Sequence, residues 1–391
     1  RHDDLARRRL VRRAGAAERE RLHDTFTTLC RIESPSGHER TCADWLTAEL
    51  RAIGLEVEED GSGPAAGSDA GNLLARIPGR DPHSLLLCAH MDTVPLAAPV
   101  EPVLVDGAWE NANEGILGAD NKSAIAVILQ LARQLTAGPE PPPIGIELLF
   151  TVCEEVSLRG SHEFDVSRLR SAFGFVFDHA TPIGEVVIAS PTHYRIVADL
   201  RGRAAHAGVR PEAGRSAVVA AAHAIAAMEL GRVDAETTAN VGMIAGGSAI
   251  NVIPEHCRVE AEVRSLDAER AAAVTTATVD HLQDAVNAGE CDLDVSVAKM
   301  FSGYRCKPRA PQLAVAQRAL RACGYEPTEI ASGGASDANS LQTAGFSCTC
   351  LADGTERNHE PGERISAAAL ESMLDIALTL VDESATELEV A

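Results

Sequence analysis

Three apolar runs in this sequence end in acidic or histidine residues, and this feature restricts the possible folds more than any other. The runs are SLLLCAHMDTVP (84–95), IELLFTVCEEVS (146–157) and FGFVFDHA (173–180). Each has the length and composition of a buried strand. Near their ends they carry His90, Asp92, Glu154, Glu155 and Asp178. Because the strand ends of an open α/β sheet border the crevice that binds ligands, we expect these side chains to meet in one site.

A helix predicted over 121–136 contributes a further acidic residue, Asp120, at its start. Histidine together with several carboxylates is a ligand set for a divalent metal ion. Placing this many negative charges in a buried site without a cation would be very costly. The pattern therefore predicts a metal centre built from several strand ends.

Each of these residues also has an ordinary structural interpretation. Asp120 stands where a helix cap is expected, and aspartate is a favoured capping residue. Asp178 follows a strand, where aspartate is common in turns. Glu154 and Glu155 form a solvated strand end if their run is exposed, although the preceding IELLFTV favours burial. From the local pattern alone these alternatives stay open.

Composition and charge exclude several other classes of protein. The chain has 391 residues, of which 45% are hydrophobic, enough for two domains and a large core. Its formal net charge of −22 argues against a nucleic-acid partner, which requires a basic surface. No apolar run has the length of a membrane span. The N-terminal RHDDLARRRLVRRAG (1–15) lacks the apolar stretch of a signal peptide and indicates the basic start of an exposed helix.

The ten cysteines are scattered and include no C-x-x-C pair, which indicates a protein of the reducing cytoplasm. Cys88 and Cys153 lie inside apolar runs, where cysteine behaves as a small hydrophobic residue. Cys348 and Cys350 share one face of a predicted strand. Core packing is the favoured interpretation of this pair, and metal binding is the alternative.

The pattern of strands and helices divides the chain into a catalytic framework and an insert. The framework comprises residues 1–191 and 305–391, and the insert comprises residues 192–304. The insert has the predicted order β-α-β-β-α-β, which is the split βαβ arrangement of ferredoxin-like domains. We therefore expect it to form a separate lid domain.

Other elements of the framework are predicted from periodicity and turn residues. Two amphipathic helices within 1–54 are separated by SPSG, and a flexible turn over 61–71 joins two strands. After the insert come helix PQLAVAQRALRACG, the turn SGGASDAN, strand FSCTCL, the loop ADGTERNHEPGE and a final helix over 366–384. Polar, glycine-rich loops often carry functional residues, so His359 is a candidate to complete the metal site.

Eight motifs in this order carry a resemblance to a known family. They are AHMDTVP, GADNKSAIA, FTVCEEVSLRGS, FVFDH, GRAAHAG, NVIPEHCRVEAEVRSLD, GGASDAN and NHEPGERI. The chain resembles, over nearly its whole length, the co-catalytic dizinc exopeptidases and amidohydrolases, which include peptidase T, carboxypeptidase G, aminoacylase and succinyl-diaminopimelate desuccinylase. GGASDAN and EEVSLRGS look most like the peptidase T-like branch. The resemblance implies an α/β fold with a phosphorylase/hydrolase-like mixed sheet flanked by helices, and an inserted α+β ferredoxin-like lid and dimerisation domain.

The same resemblance implies two divalent metal ions per chain and a role for each candidate residue. The ions are expected to be zinc, and nitrogen and oxygen ligands would also accept manganese or cobalt. His90 and Asp178 would bind one ion, Glu155 and His359 the other, and Asp120 would bridge both. Glu154 would be the general base. Asp92 would hold the imidazole of His90 in its ligating tautomer.

Residues of the lid and of the glycine-rich turn are implied to bind the substrate. His206 in GRAAHAG would act across a homodimer interface on the transition-state oxygen in the partner's site. Asn251 and Arg264 would bind a substrate carboxylate. Gly333 and Gly334 would let the backbone approach a ligand closely. Each also has an ordinary structural interpretation: an exposed turn histidine for His206, a strand-surface charge for Arg264, and a common turn for the two glycines.

These observations predict a cytoplasmic, homodimeric dizinc metallohydrolase that cleaves an amide bond next to a free terminus. A di- or tripeptide aminopeptidase like peptidase T is the favoured activity. The alternatives are an N-acyl amino acid amidohydrolase or a carboxypeptidase of the same family, and a non-catalytic metal-binding protein that retains the fold. Motifs for nucleotide binding, single-zinc proteases and serine hydrolases are absent from the sequence.

Overall fold

The computed structural model describes residues 13–390. The helices are α1 (Ala16–Arg31), α2 (Arg40–Ala52), α3 (Gly63–Ala66), α4 (Ala119–Ala137), α5 (Arg159–Glu163), α6 (Ala217–Ala227), α7 (Ala268–Ala288), α8 (Pro311–Ala322), α9 (Asp337–Thr343) and α10 (Ala367–Val390). The predicted basic start of a helix lies mostly outside the described residues.

The strands follow the predicted runs, with several short additions. They are β1 (Val57–Glu59), β2 (Leu73–Ile77), β3 (Asp81–His90), β4 (Pro102–Val105), β5 (Ala108–Asn111), β6 (Ile144–Thr151), β7 (Phe173–His179), β8 (Glu185–Ser190), β9 (Thr192–Arg201), β10 (Gly231–Arg232), β11 (Thr237–Gly246), β12 (His256–Ser265), β13 (Asp292–Phe301), β14 (Tyr304–Arg305), β15 (Thr328–Ala331), β16 (Cys348–Ala352), β17 (Thr355–Glu356) and β18 (Arg364–Ser366).

The described residues form two compact units. The first comprises the residues up to Ile188, Cys306–Ala331 and the residues from Ser336 onward. The second comprises Ala189–Arg305 together with Ser332–Ala335. Each unit buries its own hydrophobic core.

A mixed sheet forms the centre of the first unit. Its strand order is β1-β2-β6-β3-β7-β16-β8, and β15 pairs with β8. The four central strands β6, β3, β7 and β16 run parallel to one another. Every residue of β6 is buried, as expected for a parallel strand that helices cover on both faces. The predicted α/β fold class, a mixed sheet flanked by helices, is confirmed.

Alternate residues of β3 pack against helices on opposite faces of the sheet. Leu85, Leu87 and Ala89 belong to the main core, which includes residues of α4 and α10. Cys88 points the other way, where its thiol lies against Asp337 at the start of α9. Because helices cover both faces of the sheet, the strand ends are where its polar side chains can border a solvent-accessible crevice.

The strand register brings the predicted site residues to one edge of the sheet. His90 pairs with Thr151 across β3 and β6, and Cys88 pairs with Val176 across β3 and β7. Two residues beyond Val176 lies Asp178, which is therefore level with His90. The ends of β3, β6 and β7 thus lie side by side.

A small antiparallel sheet in the first unit was not predicted from the sequence. Its order is β17-β18-β5-β4, so the hairpin β17-β18 pairs with the segment that precedes Asp120. The predicted loop 352–363 therefore contains β17, and its tip carries His359. The predicted flexible turn over 61–71 likewise contains the short helix α3.

The second unit is an antiparallel sheet packed on two helices. Its strand order is β10-β11-β12-β9-β13, and α6 and α7 pack against these strands. Ser216 caps α6 by accepting from Val219 N, and Asp267 caps α7 by accepting from the amides of Glu269 and Arg270. The predicted order β-α-β-β-α-β is confirmed, with β10 as an addition. Within residues 13–390, no helix is both long and apolar enough to cross a bilayer.

Candidate metal centre

Six side chains of the first unit meet at the carboxyl ends of the parallel strands. They are His90, Asp120, Glu154, Glu155, Asp178 and His359. Two overlapping groups have ligand atoms within 4.8 Å of one another, namely His90, Glu154 and Asp178, and His90, Asp120 and Glu155. The structure thus brings together every residue that the resemblance assigned to the metals and to the general base.

Asp120 lies between two imidazoles. Its Oδ1 is 3.1 Å from His90 Nε2, and its Oδ2 is 3.2 Å from His359 Nε2. Asn358 Nδ2 also donates to Oδ2, at 3.0 Å. Burial alone would raise the pKa of Asp120, but the hydrogen bonds from His359 and His90 lower it. Its two carboxylate oxygens contact His90, His359 and Asn358, so the side chain faces the centre rather than capping the helix.

The two histidines each contact a further carboxylate. His90 Nε2 lies 3.4 Å from Asp178 Oδ1 and 4.0 Å from Glu154 Oε2. His359 Nε2 lies 2.9 Å from Glu155 Oε1. His90 and Asp178 therefore lie on one side of the centre, and His359 and Glu155 on the other. This grouping matches the two pairs that the resemblance assigned to separate ions.

Asp92 fixes the orientation of His90 mainly through its backbone. His90 Nδ1 donates to the carbonyl oxygen of Asp92 at 2.9 Å, while the carboxylate oxygen Oδ1 lies 3.3 Å away. With Nδ1 occupied, Nε2 faces the carboxylates of the site. The shorter contact with the imidazole is thus made by the carbonyl of Asp92 rather than by its carboxylate.

The carboxylate of Asp92 instead helps to hold the turn that carries Glu154 and Glu155. The successive amides of Val152–Glu155 donate, in chain order, to Asn72 Oδ1, Glu39 Oε1 and the two oxygens of Asp92, at 2.9–3.2 Å. Cys153 in this turn has a φ of 53°, in the left-handed region. Sequence reasoning missed Glu39 and Asn72, because no local pattern marks a buried side chain that accepts from a distant backbone.

Burial keeps the acidic side chains of the site at unusual pKa values. Burial, followed by the charge of Asp178, raises the pKa of Glu154 well above the usual range. Burial likewise raises the pKa of Asp178 and of Glu155. Hydrogen bonds to Asp120 and Glu155 raise the pKa of His359 to about 10. The centre thus brings together four carboxylates and two imidazoles. These nitrogen and oxygen donors fit two divalent cations.

Three further buried acids surround the centre, and sequence reasoning assigned no role to them. Burial raises the pKa of Asp353 and of Glu363 to about 7. Asp337 accepts from Thr151 Oγ1 next to the end of β6. Asp337 and Glu363 lie within the motifs GGASDAN and NHEPGERI, which were the available signal.

His206 and Asn251 lie together in the second unit. Ala207 N donates to the carbonyl of Asn251 at 2.9 Å, and His206 forms an isolated bridge with Val252. Both side chains are exposed. The structure thus places these two predicted substrate-binding residues on one loop pair that is open to solvent.

Arg264 and the glycine pair form a second group in the same unit. Arg264 Nη2 lies 3.1 Å from Glu262 Oε2, and Nη1 donates to the carbonyl of Gly333 at 3.3 Å. Ser190 Oγ donates to the carbonyl of Gly334 at 2.8 Å. Neither glycine has a positive φ, and a Cβ at Gly333 would meet no atom within 4 Å. The backbone here therefore does not itself require glycine.

Cys348 and Cys350, for which metal binding was the alternative interpretation, are not grouped with the centre, and neither are the histidines His162 and His179. Cys348 and Cys350 are buried in β16, and burial raises the pKa of both thiols. His162 is exposed, and burial lowers the pKa of His179. Within residues 13–390, none of these four belongs to a group with metal-binding geometry. Core packing of the two cysteines agrees with the favoured prediction.

Two family models match parts of the chain. A model described as a peptidase dimerisation domain, from the M20 peptidases, matches residues 193–290. A model of peptidase family M28 matches residues 72–205. The first covers most of the second unit, and the second covers the strands that carry His90, Glu154 and Asp178.

Similar proteins match over nearly the whole chain. The uncharacterized protein YqjE of Bacillus subtilis is 32% identical over 94% of this chain and 99% of its own length. The aminopeptidase PepT of Bacillus cereus is 34% identical, with a TM-score of 0.86 over 93% of this chain and 98% of that chain. A tripeptidase of Staphylococcus aureus is 32% identical, with a TM-score of 0.91 over 94% of this chain and 99% of that chain.

Proposed function

Because the chain belongs to the M20-type metallopeptidases that include PepT-like tripeptidases, we propose that it is a two-metal aminopeptidase acting on tripeptides and dipeptides. The observation that carries this proposal is the position of Asp120 between two imidazoles. Each of its carboxylate oxygens faces a different histidine. A carboxylate in this position can bind two cations at once, one through each oxygen.

The proposed ligand set follows the grouping of the side chains. His90 and Asp178 would hold one ion, and Glu155 and His359 would hold the other, with Asp120 shared. When bound, the ions would polarise the scissile carbonyl and lower the pKa of a water molecule. Zinc is the proposed metal, and manganese or cobalt would fit the same donors.

Glu154 is the proposed general base. Its side chain is buried and lies 4.0 Å from His90, at the edge of the centre. A buried carboxylate at this position can act as a general base on a water molecule held at the centre. Glu154 would accept the proton of the attacking water and pass it to the departing amine. Asp92 accepts from the amides of Glu154 and Glu155, and Glu39 accepts from the amide of Cys153; together these bonds set the position of Glu154.

The second unit would bind the end of the peptide that is not cleaved. Arg264 and Asn251 are proposed to bind its carboxylate, and a substrate carboxylate would compete with Glu262 for the guanidinium. His206 is proposed to reach the active site of a second copy in a homodimer, where it would donate a hydrogen bond to the oxyanion. The match to a peptidase dimerisation domain supports this arrangement.

The reducing cytoplasm is the proposed location. All ten cysteines lie within the described residues, and all are free thiols. Disulfides are typical of oxidising compartments, so ten free thiols favour a reducing one.

A substrate panel on metal-loaded protein tests the proposed activity. The panel contains a free tripeptide, a dipeptide, the same tripeptide with a blocked amino terminus, and an N-acetyl amino acid. We expect release of the amino-terminal residue from the free tripeptide and little cleavage of the blocked peptide. Preferred hydrolysis of the N-acetyl amino acid, or release of the carboxy-terminal residue, would replace the aminopeptidase with the amidohydrolase or carboxypeptidase alternative.

A further inference from the structure

Glu363 is a buried carboxylate that joins two separate parts of the metal centre. Its side chain is 1% exposed. Its Oε2 accepts from the amides of Leu117 and Gly118 at 2.9 and 2.8 Å, and its Oε1 accepts from the amide of Asp120 at 2.9 Å. Glu363 lies four residues after His359, on the same loop. It therefore connects the loop of His359 directly to the backbone of Asp120.

The contact with the amide of Asp120 takes the place of a helix cap. The amides at a helix start need acceptors, and the residue at that position usually provides one from its own side chain. At the start of α4 the residue before the helix is Gly118, with a φ of 77°, and it has no side chain to accept. Glu363 supplies an acceptor for the amide of Asp120 from a position 243 residues away in sequence. The side chain of Asp120 is thereby left to face the two histidines.

We infer that Glu363 is a positioning residue for the metal centre: it holds the backbone of Asp120 so that the carboxylate can bridge two cations. The inference rests on the proposed function, because it assumes that Asp120 is the shared ligand. Glu363 itself lies behind Asp120 and contacts its amide rather than its carboxylate. Partners that orient metal ligands typically change metal affinity by about 10–100-fold when they are mutated.

Both oxygens of Glu363 accept from amides, which makes Glu363→Gln an informative variant. Glutamine keeps the size of the side chain but has only one acceptor oxygen, and its NH₂ group can only donate. In either orientation the NH₂ group faces at least one backbone amide. Glu363→Gln is therefore expected to lose either the hydrogen bond from the amide of Asp120 or those from the amides of Leu117 and Gly118.

Glu147 provides a matched control remote from the centre. It is 2% exposed and accepts from the amides of Arg170 and Ser171 at 2.8 and 2.9 Å, and from Arg76 Nε at 2.9 Å. It lies in β6, four residues before Thr151, which is about 13 Å along the strand. Glu147→Gln thus makes the same change in a similarly buried carboxylate, without touching the proposed ligands.

The experiment compares zinc binding, thermal stability and amide exchange in the full-length wild type and both variants. Zinc affinity is measured by competition with a chromophoric chelator, and hydrogen exchange is followed in the metal-free protein. For Glu363→Gln we expect about 10–100-fold weaker zinc binding and faster exchange at Leu117, Gly118 and Asp120. For Glu147→Gln we expect a lower melting temperature with unchanged zinc affinity and unchanged exchange at these three amides.

Three outcomes would overturn the inference. The first is wild-type zinc affinity in Glu363→Gln, and the second is an equal loss of zinc affinity in Glu147→Gln. The third is unchanged hydrogen exchange at Asp120 in Glu363→Gln. This outcome refutes the positioning role even if the wild type takes up no zinc, a result that would separately refute the proposed function. If Glu363→Gln does not fold, Glu363→Asp replaces it, because the shorter carboxylate cannot reach both groups of amides. Wild-type zinc affinity in that variant would equally overturn the inference.

Discussion

His359 Nε2 lies 2.9 Å from Glu155 Oε1, although 204 residues separate the two in sequence. Glu155 follows the end of β6 in the central sheet, whereas His359 lies at the tip of the hairpin β17-β18. The hairpin reaches the centre because β18 pairs with β5, where Ile365 is opposite Trp109. A small edge sheet, rather than the central one, therefore completes the candidate metal centre.

We expect the purified protein to bind two zinc ions per chain and His359→Ala to bind fewer. The substitution removes a neutral nitrogen donor from one side of the centre and leaves His90 and Asp178 on the other. Elemental analysis after equilibration with a zinc buffer measures the stoichiometry. The variant should approach one ion per chain at zinc concentrations that saturate the wild type.

His162→Ala is the control for this measurement, because His162 is an exposed histidine outside the centre. It should keep the wild-type stoichiometry. One ion or none in the saturated wild type would contradict the two-metal site, and two tightly bound ions in His359→Ala would remove His359 from the ligand set.

Glu154→Gln should lose about 10²–10⁴-fold in kcat while still binding metal. The amide has the size of the carboxylate but cannot accept a proton from water. Peptide hydrolysis and zinc content are measured on the same preparation, with the exposed Glu163→Gln as a charge-matched control. A Glu154→Gln enzyme that is metal-loaded and near wild-type in rate would show that another group is the base.

Mixing two inactive variants tests whether His206 acts on the partner's site. His206→Ala keeps Glu154, and Glu154→Gln keeps His206, so a heterodimer would contain one site with Glu154 from one chain and His206 from the other. We expect activity to return when the two are mixed and allowed to exchange. Subunit exchange is verified independently by mass spectrometry of differently tagged chains. Demonstrated exchange without recovered activity would mean that His206 acts in its own chain or not at all.

Glu262 should make the second unit sensitive to acid. A hydrogen bond from His193, followed by contacts with Arg264, lowers the pKa of Glu262 from 4.5 to about 2. Because the pKa of Glu262 is lower in the folded state than in the unfolded state, its contacts stabilise the folded state above about pH 4.5. This contribution to stability is lost as the pH falls toward 2. The carboxylate is 39% exposed, so solvent screening will reduce the effect.

Calorimetry at a series of pH values measures this loss by comparing the wild type with Glu262→Gln. The difference in melting temperature should be largest at neutral pH and should shrink as the pH falls below about 4.5. The exposed Glu229→Gln controls for the loss of one negative charge elsewhere in the same unit. A constant difference between wild type and Glu262→Gln at every pH would disprove the linkage.

The order of elements in both units could be predicted from the sequence because their signals are local. Apolar runs such as IELLFTV identify buried strands within a few residues, and alternation in β12 identifies a sheet with one covered face. The strand-end positions of His90 and Asp178 follow from the same runs. The polar, glycine-rich loop made His359 a candidate, and the motif NHEPGERI supported it through its resemblance to a family.

The contacts that hold the site together are visible only in the folded structure. Local sequence identifies which strands are buried and which charged residues stand at their ends, because periodicity and run length depend on near neighbours. Local sequence does not show that Glu363 accepts from the amide of Asp120, that Glu39 and Asn72 hold the turn before Glu154, or that β18 carries His359 to Glu155. Each of these is a hydrogen bond or pairing between distant segments, and such contacts leave no periodic pattern because the acceptor and the donor are selected by the folded geometry alone.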